Sequence, residues 1–414
     1  MSQIPQKRGF DSTLSFLNNP YRFISQNSKK LNTSLFKARV MLQDTIFLIG
    51  RDAAHIFYDS EHFVRENAMP SAIQHTLIGT SGVQGLDDDE HRHRKQMFML
   101  MMTPARVDTL KTIVEEYWCD YAYKWEKRDE VILYDELREM LCQAIFRWVG
   151  LPLEQSDVEK HTKELTALFG DAGSVSIKHF GARLARKRAE RWAGDYIDRI
   201  RAHKENISQE SPAAVIAFHR DLQGELLDRQ VAAVELLNIL RPVVAVSVFI
   251  TFTAHALHAH PETHAQLDDS NYLSSFVQEV RRFYPFFPAV VARVRQDFEY
   301  KGCPFHKGTR AVLDLYGTNH DAETWVSPDQ FHPERFLNWD EDLFGFIPQG
   351  GGDPFTTHRC PGETIAVELM KSAALFLTRR IRYEVPSQDL SLDYTSLPAL
   401  PRSHFVMRNV QVQF

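Results

Sequence analysis

Cysteine is scarce in this chain: four in 414 residues, Cys119, Cys142, Cys303 and Cys360, with no pair at C-x-x-C spacing. That excludes a zinc ribbon and a disulfide framework, and it fits a reducing compartment, the cytoplasm. No apolar signal segment occurs between Met1 and Asn32. From Pro242 to Pro261 there is no Asp, Glu, Lys or Arg. The strongly apolar part, Val243 to Leu257, is about fifteen residues, short of the ~20 that a bilayer span needs. It also carries Ser247, Thr251, Thr253 and His255, so a buried central helix and no membrane anchor are expected. Repeats and low-complexity segments are missing. Lys/Arg clusters at 91–95 and 178–191 have no interleaved aromatics, and the net charge is −6, which argues against a nucleic-acid partner. The second cluster, with Arg183, Arg186, Lys187, Arg188 and Arg191, reads as a solvated helix face.

What is present is apolar residue in quantity, 43%, enough for a large core. Spacing of helical period recurs at 105–125, 136–148, 158–168, 182–207, 211–219, 228–260, 271–283 and 363–383. Strand-like runs are few: 38–49 and 290–300, with shorter pieces at 311–316 and 403–412. The expected fold class is mainly α with a small β portion near 33–60 and 290–316.

The most informative stretch is Phe346-Ile-Pro-Gln-Gly-Gly-Gly-Asp-Pro-Phe-Thr-Thr-His-Arg-Cys-Pro-Gly-Glu363. Three glycines, a basic pair, one cysteine, then Pro361 and Gly362 describe a tight loop that presents a single sulfur just before a helix. Unpaired N–H groups and the helix macrodipole favour a thiolate there, as a metal ligand requires. A lone buried cysteine is the alternative. Two further segments fit the same picture. Glu279-Val-Arg-Arg282 puts Glu279 and Arg282 on one helical face, and Pro333-Glu-Arg-Phe336 offers Arg335 as a third member.

In this order and spacing the three segments resemble the haem-thiolate cytochrome P450 family. The resemblance implies Cys360 as the iron ligand of haem b, held between a long distal helix and the helix after the cysteine loop. It also implies Glu279, Arg282 and Arg335 as a fold-holding triad and one domain spanning residues 1–414. Five residues, Asp353 to Thr357, stand between Gly352 and His358, where the general family has one. That longer loop is similar to one branch, the bacterial fatty-acid peroxygenases, which usually carry Gly where this chain has Thr357. By the same resemblance Arg65, His91, Arg94 and His358 are cofactor-binding residues. Arg65, His91 and Arg94 face the haem propionates, with Lys95 able to replace Arg94. Buried carboxylates need such partners.

The 228–260 segment is then the helix over the haem. Oxygen-activating members carry an acid followed by Thr there; this chain has Arg241-Pro242. Pro242 removes a backbone hydrogen bond and is expected to push the helix out of line, at about 3 kcal/mol. Arg241 puts a permanent cation into an apolar wall, and an isolated buried charge needs a partner. Glu235, six residues away, lies on another face. Either a remote acid pairs with Arg241, or the substrate's carboxylate does. Arginine cannot shuttle protons. Breaking a peroxide needs a group that takes a proton from one oxygen and returns it to the other, and a carboxylate on Arg241 meets that need. Arg241 and Pro242 are therefore the catalytic candidates.

Gln84, in Gly79-Thr-Ser-Gly-Val-Gln-Gly85, matches a substrate-side position of the branch; a plain loop glutamine is the alternative. Ile78 and Phe287 match pocket-lining positions, or are ordinary core. The 277–293 run resembles members that act at the α carbon. The resemblance thus implies a fatty-acid peroxygenase: long-chain fatty acid and hydrogen peroxide as partners, no redox partner protein, and α-hydroxylation. Three other functions compete: β-hydroxylation or decarboxylation to terminal alkenes at the same site, a ferredoxin-fed monooxygenase, and a non-catalytic haem carrier or sensor.

Overall fold

The computed structural model describes residues 3–170 and 177–413. At its centre is the helix Arg229–Ala259. Asp228 caps it by accepting the Gln230 N–H at 2.7 Å. Its residues are buried almost all round, against the helices Leu133–Val149, Ile177–Arg201 and Glu363–Arg379. A helix apolar on every face belongs in a core. By length and composition it is the one helix among the described residues able to cross a membrane, and 94% of its most apolar window is buried inside the fold. Pro242 does not end the helix, which runs on through it to Ala259. Packing on all sides outweighs one lost backbone bond.

Helix Glu363–Arg379 starts after Gly362 and ends sooner than its apolar spacing implies, giving way to strand Ile381–Glu384. Helix Asp88–Met101 has no clean apolar stripe: charged residues fill its first two turns and methionines its last. Asp88, Asp89 and Glu90 in its first turn suit the positive helix end.

The main sheet has five strands, in the spatial order Leu35–Val40, Gln43–Leu48, Arg310–Asp314, Ala289–Val294, Phe63–Val64. Gln43–Leu48 and Arg310–Asp314 run parallel; the other pairs are antiparallel. The expected single run 38–49 is a hairpin. Its turn residues, Met41 and Leu42, both have positive φ, 52° and 59°, which a two-residue turn demands. Neither residue type signals such a turn. Neighbours brace it instead: Asp11 accepts the Leu42 N–H at 2.9 Å and Thr13 Oγ1 the Met41 N–H at 2.5 Å. The run 290–300 likewise divides into Ala289–Val294 and Phe298–Tyr300.

Glu279, Arg282 and Arg335 meet behind the cysteine loop. Glu279 is fully buried and accepts from Arg282 Nε and Nη2 at 2.7 Å and from the His332 N–H at 2.8 Å, and it forms an ion pair with Arg335, whose Nε lies 3.1 Å away. Arg282 also donates to the carbonyls of Asn319 and Pro328, each at 2.9 Å. Removing the carboxylate strands two cations inside the fold. Glu279→Ala is expected to cost about 3–5 kcal/mol, out of a total stability of about 5–15 kcal/mol. Thermal unfolding, together with the yield of cofactor-loaded protein, measures it; a melting temperature equal to the native value contradicts it.

Candidate active site

A cavity of about 340 Å³ lies between the helix Arg229–Ala259 and the cysteine loop, with Arg241 and Cys360 both in its wall. A second groove, of about 580 Å³, lies near the C-terminal strands against Leu257, Tyr383 and Gln411, and no cysteine lines it.

The loop that holds Cys360 is shaped by its glycines. Gly350 and Gly352 have φ of 99° and 82°, and a Cβ on Gly351 would fall 2.7 Å from Ile347. The longer stretch before His358 braces itself. Asp353 Oδ1 accepts the N–H groups of Phe355 and Thr356, at 2.9 and 3.0 Å. Thr357, where glycine is usual, uses its hydroxyl on the carbonyls of Gly351 and Asp353, both at 2.8 Å. Cys360 N–H donates to the Gln349 carbonyl at 3.0 Å, two residues before the cap Gly362. Burial raises the Cys360 thiol; the Gly362 N–H, Lys95 and Arg281 pull the other way. The helix end alone does not make a thiolate here, and a metal cation on the sulfur would. Among the described residues no three His, Cys, Asp or Glu side chains cluster as a metal site. The sulfur is thus a solitary donor.

Cationic and imidazole groups gather at one side of the cavity. Arg65 lines it with no ion pair among the described residues, packed 4.3 Å over the Phe57 ring. His91 and His358 also line it, stacked at 3.9 Å, and His358 Nε2 sits 2.9 Å from the Leu86 carbonyl. Burial lowers both imidazoles, His91 to about 4, so both are neutral. Lys95 is buried in the wall and donates to the carbonyls of Thr357, at 2.9 Å, and Arg359. Burial lowers its ammonium to about 8. Arg94 departs from the expectation: it is not in the cavity wall. It turns the other way and donates to Glu235 Oε1 at 2.7 Å. Of two adjacent cations, the one without a buried carboxylate within reach is the one left to the cavity.

Opposite Cys360, Arg241 is 7% exposed, and burial lowers its guanidinium to about 9. Among the described residues it has no ion pair, and Nη1 has no hydrogen-bond partner. Pro242, Gln84, Ile78 and Phe287 share the wall. Ile78 closes the π-helical turn Gln74–Ile78. Gln84 Oε1 accepts from Asn238 Nδ2 at 3.1 Å.

Arg186 corrects the solvated-face expectation: it is buried, 2% exposed. It pairs with Glu190 at 2.6 Å and turns Nη1 and Nη2 toward the carbonyls of Leu77 and Ile78, at 3.5 and 3.4 Å. Gly79, with φ 78°, leaves room for it; a Cβ there would lie 2.1 Å from Arg186 Nη2. The i,i+4 glutamate and that glycine are the traces in the sequence, but both are too common to single Arg186 out. The side chain of Lys178, in the same cluster, lies outside the described residues.

This donor set fits an iron porphyrin. One thiol faces the cavity, Arg65, His91 and Lys95 supply cationic and hydrogen-bonding partners for two carboxylates, and the remaining wall is largely apolar.

The profile "Cytochrome P450" matches residues 254–405. Among solved structures, cytochrome P450SP alpha (CYP152B1) in complex with (R)-ibuprophen is 53% identical, with TM-score 0.96, covering 98% of this chain and 100% of that one. Cytochrome P450EX alpha (CYP152N1) with myristic acid is 40% identical at TM-score 0.96, with 100% of both chains covered. A variant of cytochrome P450 OleT in complex with arachidonic acid is 31% identical at TM-score 0.97, covering 100% of this chain and 99% of that one. Cytochrome P450 71A8 of Mentha piperita is 30% identical over 146 residues, 34% of this chain and 28% of that protein. The chain spans about a quarter of the length of the curated relatives it matches, between 24% and 28% for the first three.

Proposed function

The chain belongs to the haem-thiolate cytochrome P450 family, in the branch of cytochromes P450SP alpha, P450EX alpha and OleT, and on that ground we propose that it is a cytoplasmic fatty-acid peroxygenase. Its substrate is a long-chain fatty acid, hydroxylated at the α carbon with hydrogen peroxide as the oxidant and no redox partner protein. The observation that carries this is Arg241: a buried cation with no ion pair among the described residues, in the wall of an apolar cavity that also holds Cys360.

Haem b, the family's prosthetic group, would supply the iron chemistry by which hydrogen peroxide oxidises a C–H bond. Cys360 would hold the iron, and Arg65, His91, His358 and Lys95, which line the same cavity, would hold the porphyrin's carboxylates or pack beside them. Arg241 binds the substrate carboxylate through paired N–H donors, and its charge keeps that carboxylate ionised. The carboxylate then does what the guanidinium that holds it cannot: it accepts a proton from one peroxide oxygen and returns it to the other. Pro242, beside Arg241, lines the same wall. Ile78 and Phe287 give the chain an apolar path, and each buried CH₂ contributes about 0.8 kcal/mol. By resemblance, the neutral Gln84 supports hydroxylation over decarboxylation, and the 277–293 run supports the α carbon over the β carbon.

The test is one incubation of haem-loaded protein with palmitate and peroxide, without reductase, followed by mass spectrometry of the products. The 2-hydroxy acid is expected. A 3-hydroxy acid or a terminal alkene corrects the regiochemistry, and no peroxide-driven product contradicts the function.

A further inference from the structure

Glu235 takes no part in the proposed chemistry, yet it is a fully buried carboxylate on the distal helix, one turn before Asn238. Three donors surround it. Val83 N–H reaches Oε1 at 2.9 Å and Arg94 Nη1 reaches the same oxygen at 2.7 Å, while Asn238 Nδ2 reaches Oε2 at 2.8 Å. Burial raises this carboxyl, but Arg94 and the two other donors favour the ion. An ionised carboxylate only accepts, so it dictates which end of the Asn238 amide faces it: the NH₂. The second hydrogen of that NH₂ serves Gln84 Oε1, at 3.1 Å. With its carbonyl engaged, Gln84 has Nε2 left for the cavity it lines. Asn238 is 7% exposed, and its Oδ1 has no partner among the described residues. Gly82 closes the unit from below; a Cβ there would fall 3.0 Å from Asn238 Nδ2 and 3.2 Å from Gln84 Oε1.

We propose that Glu235 is a positioning residue that, through Asn238, locks Gln84 with its NH₂ toward the substrate carboxylate, as a second donor beside Arg241. The inference rests on the fatty-acid reading of the same cavity. If the Asn238 amide turned over, its carbonyl would face the Glu235 carboxylate. Gln84 would then present an oxygen to the substrate's own oxygens, and the site would repel the group that Arg241 attracts. The Glu235–Arg94 pair has therefore a use beyond the fold: it sets the polarity of the Gln84 amide, which neither residue touches.

The experiment is a binding cycle on the haem-loaded protein, reading the dissociation constants of palmitate and of hexadecanol by calorimetry. Gln84→Leu is expected to weaken palmitate about tenfold, as loss of a hydrogen bond to a charged group does. Asn238→Leu, which keeps the Glu235–Arg94 pair, is expected to weaken it as much. The double variant should be no weaker than either single one, because an unlocked Gln84 contributes nothing. Glu235→Gln should behave like Asn238→Leu wherever it folds. Hexadecanol, whose hydroxyl is uncharged, should lose less than palmitate does in each of them. The inference is overturned if Asn238→Leu leaves palmitate binding within about twofold of native, or if the two losses multiply as those of independent sites do. Those outcomes spare the fatty-acid reading. Absence of palmitate binding to the native protein overturns both.

Discussion

Arg241→Leu is expected to leave a folded, haem-loaded protein whose peroxide-driven turnover of palmitate falls at least about 100-fold, the lower end of what general acid–base catalysis contributes. The native guanidinium makes no ion pair among the described residues, so leucine strands no carboxylate. It also relieves the burial that lowers the cation to about 9. Stability should therefore hold or rise, since replacing a buried, unpaired charge by an apolar group removes a desolvation cost. Catalysis should fail twice over: the acid loses its anchor, and the proton-transfer group that it carries leaves its place. A remote structural acid as the partner of Arg241 predicts the reverse, a large fall in melting temperature with activity lost only as protein is lost. Melting temperature and turnover measured on one preparation separate the two.

Cys360→Ser is expected to reduce peroxide-driven hydroxylation to the level of free haem and to remove the thiolate-specific, red-shifted carbon-monoxide band of the reduced protein. Serine keeps the loop: the backbone bond to Gln349 needs no sulfur, and Gly350, Gly351 and Gly352 are untouched. What goes is the electron density that a thiolate pushes onto iron, which favours O–O cleavage. The ion pairs behind the loop, Arg281 and Arg359 on Glu363, should hold the substituted serine in place, so the variant reports on the ligand and not on the fold. Retention of the band together with activity would remove Cys360 as the ligand.

Much of this site is legible in the chain because its determinants are local. The cysteine loop, Glu279 with Arg282, and Arg241 with Pro242 each lie within a few residues, and glycine and proline there have few other uses. What escaped depends on partners far away in sequence. Arg94 and Lys95 are neighbours of similar charge, and which of them faces the cavity is decided by Glu235, 141 residues from Arg94. Arg186 sits in a run of bases that reads as solvated, and only the carbonyls of Leu77 and Ile78, brought against it by the fold, show that it is buried. The hairpin at Met41 and Leu42 is similar: Asp11 and Thr13 supply the turn chemistry that the two turn residues lack. The helix Asp88–Met101 lacks a stripe because its inward face carries His91, Arg94 and Lys95 as well as apolar groups.

The central claim is that the bound carboxylate, and not a side chain, moves the proton. It is tested most directly with a neutral substrate, such as an alkylbenzene, at fixed peroxide, with and without a short acid such as acetate or heptanoate. A fatty alcohol or methyl ester buries the same tail at about 0.8 kcal/mol per CH₂, so failure of such molecules alone is not for want of apolar contact. The account predicts almost no product without the short acid and a rise of at least about 100-fold with it, as the acid seats on Arg241 and restores general acid–base catalysis. The rise should vanish in Arg241→Leu. Equal rates with and without the acid would contradict the account and assign the proton transfer to a residue of the protein.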